Sequence, residues 1–329
     1  MDWGSIFELS IRELIGVQAI VFALAAIGIN IQFGYTGLLN FGQAAFAAVG
    51  GYGVAVIVTT YEMSFWLGIV VAIGAAVVLA LLLGVPTLRL RADYLAIVTI
   101  AASEIVRLVG RSAWGRDVFG GSDGITGFSD TFYDLNPFTE PLEFGPFEFR
   151  ERILWVMAVG WGLVALCTLM VWLLMRSPWG RVLKAIREDE DAVRSLGKNV
   201  YGYKMQSLVM GGVIGALAGI VYSLFQGAMQ PDVYATNFTF FAYAILILGG
   251  AATVFGPVLG AAIVWFAFQF IDLTLRAAIT NEYIPDWLMN QNDTGAVRFM
   301  LTGVVLVLLL VFRPQGILGD RREIALDAR

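Results

Sequence analysis

Histidine is absent from the 329-residue chain, and cysteine occurs once, at Cys167, inside an apolar run. Without histidine there is no Ser-His-Asp or Cys-His catalysis and no His-ligated zinc. A single cysteine excludes a disulfide within the chain. Charge is also scarce: 14% of residues are charged, where a soluble domain carries about 25%. The net charge of −5 gives nucleic-acid binding no electrostatic support. There is no G-x-x-x-x-G-K-[ST] run, so the backbone cradle and lysine that hold nucleotide phosphates are missing. The opening residues MDWGSIFELS lack a basic n-region and a small-residue cleavage site, and are expected to be retained. No fixed-period repeat and no low-complexity segment stands out.

What the chain has is apolar length. Hydrophobic residues make up 58% of it, more than a soluble core of this size can bury. A bilayer-spanning helix needs about 20 mostly apolar residues. Candidate spans are Leu14–Ile31, Leu38–Thr59, Phe65–Val85, Tyr94–Val109, Ile153–Met175, Gln206–Phe225, Phe238–Gly249, Phe255–Leu275 and Ala296–Phe312, of which Tyr94–Val109 and Phe238–Gly249 look short or broken. The runs are too long and continuous for barrel strands. The expected fold is an all-α polytopic integral membrane protein, one transmembrane domain over residues 1–329 with about 8–10 spans.

Orientation follows basic residues in short loops. The segment Arg176–Lys204 has a net charge of +3, leaving −8 for the remainder. It is expected in the cytoplasm, within a loop 176–205. The tail 313–329, with Arg313, Arg321, Arg322 and Arg329, is expected on the same side, as are Arg89 and Arg91. The loop 111–152, with four basic and eight acidic residues, is expected outside, and its glycines with Pro137, Pro141 and Pro146 suggest turns. Nine spans put the N-terminus outside; a tenth within the glycine-rich Gln32–Tyr52 would put it inside.

Small residues let membrane helices approach closely. Gly211, Gly215 and Gly219 recur every four residues, and Gly256 and Gly260 repeat the spacing; the faces suit either a partner helix or packing within the chain. Ionisable residues mid-membrane usually face protein or water. Glu104 and Arg107, at i and i+3, are placed to pair or to line a path; Asp272 and Arg276 are placed as an interfacial pair. Asn30, Gln32, Asn40 and Gln43 flank the turn Gly34–Gly37, which can break a helix inside the membrane. Asn40, Gln43, Glu104 and Gln226 are the candidate path residues, Gln226 being a weaker candidate, as is Gln269.

The loop reads SPWGRVLKAIREDEDAVRSLGKN from Ser177. Ser177 suits an N-cap, Pro178 the first helical position, and Gly197 the C′ position. Trp179, Val182, Leu183, Ile186, Val193 and Leu196 form an apolar stripe; Arg181, Lys184, Arg187, Glu188, Asp191 and Arg194 lie opposite. The expectation is one short amphipathic helix, suited to a groove in a soluble partner or to lipid. Four consecutive acids, Glu188, Asp189, Glu190 and Asp191, argue against simple lipid attraction.

The stretch GRVLKAIREDEDAVRSLGKNVYGYK (Gly180–Lys204) resembles the cytoplasmic motif of permeases for branched-chain amino acids in bacterial ABC importers. GYTGLLNFGQAAF (Gly34–Phe46), ILGGAATVFGPVLGA (Ile247–Ala261), RPQGILG (Arg313–Gly319) and, less closely, WGRDVFGGSDGITG (Trp114–Gly127) are similar to that family too. The matches run in order along nearly the whole chain and are closest to the larger of its two permease subunits. Against the general importer motif the match is partial: Asp191-Ala192-Val193 stands where Glu-Ala-Ala would, Gly197 keeps its spacing, and Ser207 replaces the expected isoleucine. The resemblance implies two separate ATP-binding subunits, a second homologous permease, an extracytoplasmic binding protein, and a multi-pass place in the bacterial inner membrane. ATP would bind only the partner subunits, which would meet Arg181, Lys184, Ile186, Arg187, Glu188 to Asp191 and Gly197. Urea or short amides are alternative substrates. A secondary transporter is the alternative class, disfavoured because such carriers usually place carboxylates or histidines mid-membrane.

Overall fold

The structure, a computed structural model, describes residues 3–88, 92–144, 147–281, 283, 291, 293–313 and 315–319. Arg89, Arg91, Pro146, Arg321, Arg322 and Arg329, which entered the expectations above, lie outside the described residues.

The helices are α1 (Trp3–Leu14), α2 (Val17–Ile29, continued by a π-turn Asn30–Gly34), α3 (Gln43–Thr59), α4 (Phe65–Thr87), α5 (Ala92–Arg111), the short α6 (Arg116–Phe119) and α7 (Asp130–Asp134), α8 (Glu151–Arg176), α9 (Pro178–Glu188), α10 (Glu190–Ser195), α11 (Val200–Gln226), α12 (Thr236–Gly249), α13 (Gly256–Thr280) and α14 (Thr294–Phe312). Among the described residues, five helical segments are long and apolar enough to cross a membrane: Trp3–Gly34, Phe65–Thr87, Glu151–Arg176, Val200–Gln226 and Gly256–Thr280. The apolar α3 and α12 are shorter. Every expected span coincides with a helix, and the all-α polytopic class holds.

Three boundaries differ. The predicted span Leu38–Thr59 starts as a helix only at Gln43, and residues 35–42 are not a further helix, so the described residues contain no tenth crossing in Gln32–Tyr52. Tyr94–Val109 is part of a full 20-residue helix whose flanking Asp93 and Arg111 hide its length from hydropathy. A separate helix, α1, precedes the first span. Its 12 residues reach about 18 Å, too short to cross the hydrocarbon core.

α2 is the axis of the bundle: all of its residues except Gln18 are buried. Such a helix is apolar all round because every side meets protein. α11 lies along α2 and α3, and glycines set the approach. A Cβ at Gly211 would stand 2.5 Å from the Gly28 carbonyl oxygen and from Gln32 Nε2. A Cβ at Gly215 would meet Gln43 Nε2 at 2.5 Å, and Gly219 has no room beside the Ala47 carbonyl. Gly256 and Gly260 likewise admit the backbone of residues 245–250 at the α12–α13 crossing. Both glycine rows therefore serve packing within the chain. Lipid is as apolar as leucine, so close van der Waals contact is what holds such helices together.

One end of the bundle carries α9 and α10 and is here termed the basic end. The other carries the described residues of 112–150. α2 starts at this acidic end, where Val17 and Gln18 border a cavity shared with Phe149, Arg150 and Phe225. The acidic-end loop is more than the expected turns. Its strand β1 (Ile125–Thr126) pairs antiparallel with β4 (Ala228–Met229), and β2 (Leu142–Phe144) pairs with β3 (Phe147–Phe149). Ile125, Phe128 and Phe132 enter the main apolar core. Trp155 Nε1 donates to the Phe132 carbonyl at 2.8 Å, and Tyr133 Oη donates to the Leu224 carbonyl at 2.9 Å. The loop is a folded cap.

Candidate functional site

The basic end presents two helices rather than the single one expected. Asp189 leaves the helical region (φ −154°, ψ 100°), and its side chain accepts from Ala192 N at 2.9 Å. It is the N-cap of α10, and Glu190 and Asp191 sit in that helix's first turn, where the dipole favours acids. The four consecutive acids therefore start a second helix. Ser177 does not cap α9: its Oγ donates to the Leu174 carbonyl at 2.6 Å. Pro178 does take the first helical position. Gly197 ends α10 with φ +76°, its N–H donating to the Arg194 carbonyl at 3.0 Å and that of Lys198 to the Val193 carbonyl at 3.4 Å. This is a Schellman closure, and only a residue tolerant of positive φ sits there without strain.

The apolar stripe turns onto the chain itself. Leu183 and Ile186 are buried, and Ile186 packs with Val193 and Val200 in a small core of its own. Leu196, expected on that stripe, is instead 79% exposed. Ile186 is thus an anchor of α9 to the bundle. The outward face carries Arg181, Lys184, Arg187, Glu188, Asp189 and Asp191, all exposed. Glu190 pairs with Lys204 of α11 and, at 2.8 Å, with Arg194. Arg187 Nη1 donates to the Gly34 carbonyl at 2.7 Å. Lys184 Nζ stands 5.8 Å from the Tyr35 ring centre. Gly37 (φ +73°) lies against Arg187, where a Cβ would come within 3.4 Å of its Cγ. The α9–α10 unit is tied to the point where α2 breaks.

From that break a buried polar seam runs through the bundle. Asn30 Nδ2 donates to the Thr253 carbonyl at 2.7 Å, and its Oδ1 accepts from Ala252 N at 2.9 Å. Gln32 Nε2 donates to the Leu208 carbonyl at 3.1 Å and its Oε1 accepts from Asn40 Nδ2 at 2.8 Å. Asn40 Oδ1 accepts from Gly42 N at 2.9 Å, and Tyr243 Oη donates to the Asn40 carbonyl at 2.9 Å. Gln43 Nε2 donates to the carbonyls of Ala25 (3.3 Å) and Gly211 (3.2 Å). Thr99 Oγ1 accepts from Phe41 N at 3.0 Å, and Thr239 Oγ1 accepts from Ala44 N at 2.9 Å. Thr36 and Ser207 share a hydroxyl contact of 2.8 Å.

The seam explains how helices can break here. The π-turn and the irregular residues 35–42 free backbone groups that cost several kcal/mol each if left unbonded in hydrocarbon. Side chains from α5, α11 and α12 supply partners. Asn30, Gln32, Asn40 and Gln43 are fully buried and bond within the chain. Thr99, Ser207, Thr239 and Tyr243 belong to the same group through their hydroxyls. Their sequence signal is nil, since single hydroxyls on apolar helices commonly bond their own backbone.

Glu104 is elsewhere, at the acidic end. It accepts from Arg107 Nε at 2.8 Å and Thr236 Oγ1 at 2.5 Å, while Arg107 Nη1 reaches Asp232 at 2.6 Å and Arg111 reaches it at 3.3 Å. The expected Glu104–Arg107 pair exists, extended into a network joining α5 to α12. Gln226 is exposed at the end of α11, its Nε2 3.4 Å from Tyr222 Oη. The Asp272–Arg276 pair (2.8 Å) also exists, and Arg298 of α14 joins it at 3.1 Å. Asn40 and Gln43 therefore lie together, while Glu104 and Gln226 lie apart from them.

A bundle of broken and glycine-packed helices, with a helical pair at one end, defines an all-α polytopic membrane protein. Residues 11–311 match the family described as the branched-chain amino acid transport system permease component, and the chain belongs to that family as the permease subunit of an importer. Relatives include the high-affinity branched-chain amino acid transport system permease protein LivM of Escherichia coli (strain K12), 29% identical over 319 residues, covering 94% of this chain and 70% of the relative. The probable branched-chain amino acid transport permease protein LivM of Methanocaldococcus jannaschii is 28% identical, covering 92% and 91%. A more partial likeness joins the chain to the autoinducer 2 import system permease protein LsrC of Escherichia coli O9:H4, at 30% identity over 54% of this chain and 46% of the relative.

Proposed function

We propose that the chain moves branched-chain or related hydrophobic amino acids into the cell, using ATP hydrolysed on two separate subunits docked at α9–α10. The observation that carries this reading is the exposed charged face of that helical pair, joined through Arg187 to the break in α2. A machine coupling hydrolysis to membrane motion needs a rigid contact, and the capped, anchored pair supplies one. In this reading the basic end faces the cytoplasm, with loop 176–205 and tail 313–329. The cap 111–152 and the N-terminus face outward, where a binding protein delivers the solute. A second homologous permease completes the path in the cytoplasmic membrane.

Asn40 and Gln43 serve the path from behind, by holding the start of α3. Glu104 and Gln226 stand at its outer mouth. Arg181, Lys184, Glu188 and Asp191 meet the ATPase directly, while Ile186, Arg187 and Gly197 hold the docking unit in place. The test is ATP-dependent uptake in proteoliposomes containing this chain with a second permease, two ATPase subunits and a binding protein. Uptake of labelled leucine, competed by isoleucine or valine, is expected; uptake competed only by urea or amides, or proceeding without ATP, would overturn the reading.

A further inference from the structure

We infer that the groove between α8 and the start of α13 is a binding site for one anionic phospholipid, its headgroup at Arg176. The groove, of about 560 Å³, is walled by Trp161, Val164, Thr168, Trp172, Phe255 and Val258. Trp161 and Trp172 lie 11 residues apart on one helix, about 16 Å, a length suited to the stem of an acyl chain. Thr168 Oγ1 is buried with no hydrogen-bond partner among the described residues, and the rest of the lining is almost wholly apolar. At the basic end of the groove the Arg176 guanidinium lies 3.9 Å from the Trp172 ring centre. It is exposed, and no carboxylate among the described residues pairs with it.

Charge selects the occupant. Basic side chains at the cytoplasmic ends of membrane helices recognise anionic headgroups, and an aromatic beside them sits at the headgroup level. A partner helix fits less well. Close helix association in lipid favours small residues at the contact, whereas here Trp161, Leu169, Trp172 and Phe255 present large ones. A cation over an indole face also keeps its outer N–H groups directed away from the ring, available to a phosphate.

The experiment uses the full chain in nanodiscs of equal phosphatidylglycerol and phosphatidylcholine, with co-purifying lipid counted by native mass spectrometry. Wild type is expected to retain phosphatidylglycerol about fivefold over phosphatidylcholine, the preference one basic side chain near an anionic surface supports. Arg176→Gln should abolish the preference while lipid is still retained. Ala165→Trp, which fills the groove from an exposed lining position, should reduce retention of both lipids with the unfolding temperature unchanged. Equal retention of the two lipids by wild type, or an undiminished preference in Arg176→Gln, would overturn the site. A dimer that Ala165→Trp disperses would show instead that another chain fills the groove.

Discussion

Arg187 of α9 donates to the carbonyl of Gly34, at the end of the α2 π-turn, across 2.7 Å. This one bond joins the α9–α10 pair to the central helix of the bundle. A hydrogen bond with a charged donor contributes about 1.5–3 kcal/mol, and under the proposed function it lies on the route from hydrolysis to helix movement. Arg187→Ala is expected to lower ATP-driven uptake by about tenfold or more on that scale. The ATPase should still co-purify, because Arg181 and Lys184 remain exposed. Loss of co-purification, or unchanged uptake, would show that Arg187 does not link the two.

Gly197 tests the closure of α10. Its φ of +76° strains any residue with a Cβ, by about 1 kcal/mol for alanine. No heavy atom lies within 4 Å of a Cβ built there, so the effect is conformational. Gly197→Ala should leave the bundle's unfolding temperature unchanged and weaken ATPase binding modestly. Gly197→Pro, which also removes the N–H bonded to Arg194, should abolish it. Pull-down of the ATPase with each variant is the measurement.

Packing along α11 gives a contrast between two glycines. Gly219 has no space beside Ala47, and forcing atoms into a packed site costs about 1–3 kcal/mol. Gly219→Val should lower the unfolding temperature in detergent clearly. Gly162 on α8 has nothing within 4 Å, and Gly162→Val should be neutral.

The seam predicts unequal effects from two neighbours. Tyr243→Phe removes the hydroxyl that donates to the Asn40 carbonyl and costs about 1 kcal/mol. Asn40→Leu leaves Gln32 Oε1 and the Gly42 N–H without partners in a buried site, at about 1–3 kcal/mol each. Uptake should fall slightly in the first variant and strongly in the second, with both still inserted in the membrane. Equal effects would remove Asn40 from the seam's working part.

At the acidic end, Asp232→Asn should change stability little, because its side chain is 56% exposed and surface ion pairs contribute little. Glu104→Leu should have the larger effect, since it releases both Arg107 and Thr236 and loosens α5 from α12. Thermal unfolding of the two variants distinguishes these outcomes.

Hydropathy was enough to place a helix at every expected span, because a segment that must satisfy its backbone in hydrocarbon is a helix. The start of α9 and the end of α10 were legible for a related reason: Pro178 and Gly197 act locally, through φ. The break at Asp189 was less so, because a run of acids reads equally as one helix's surface and as the start of the next. The cap was missed because its apolar residues, Ile125, Phe128 and Phe132, are scattered among glycines and charges and find their partners only across the bundle.

Composition and local pattern thus determined the membrane setting, the helical class, the charge asymmetry of the two ends and the helical character of the segment Pro178–Ser195. These depend on the solvent and on neighbours within a few turns. Tertiary structure alone decided which face of α9 turns inward, that the Gly211–Gly219 row packs inside one chain, and that Asn40 and Gln43 hold a broken helix together. Those outcomes depend on groups 8 to 223 residues apart, as in the contacts of Asn40 with Gln32 and of Asn30 with Thr253. A buried amide in lipid must find some partner, but which one is set by the packing of the whole bundle.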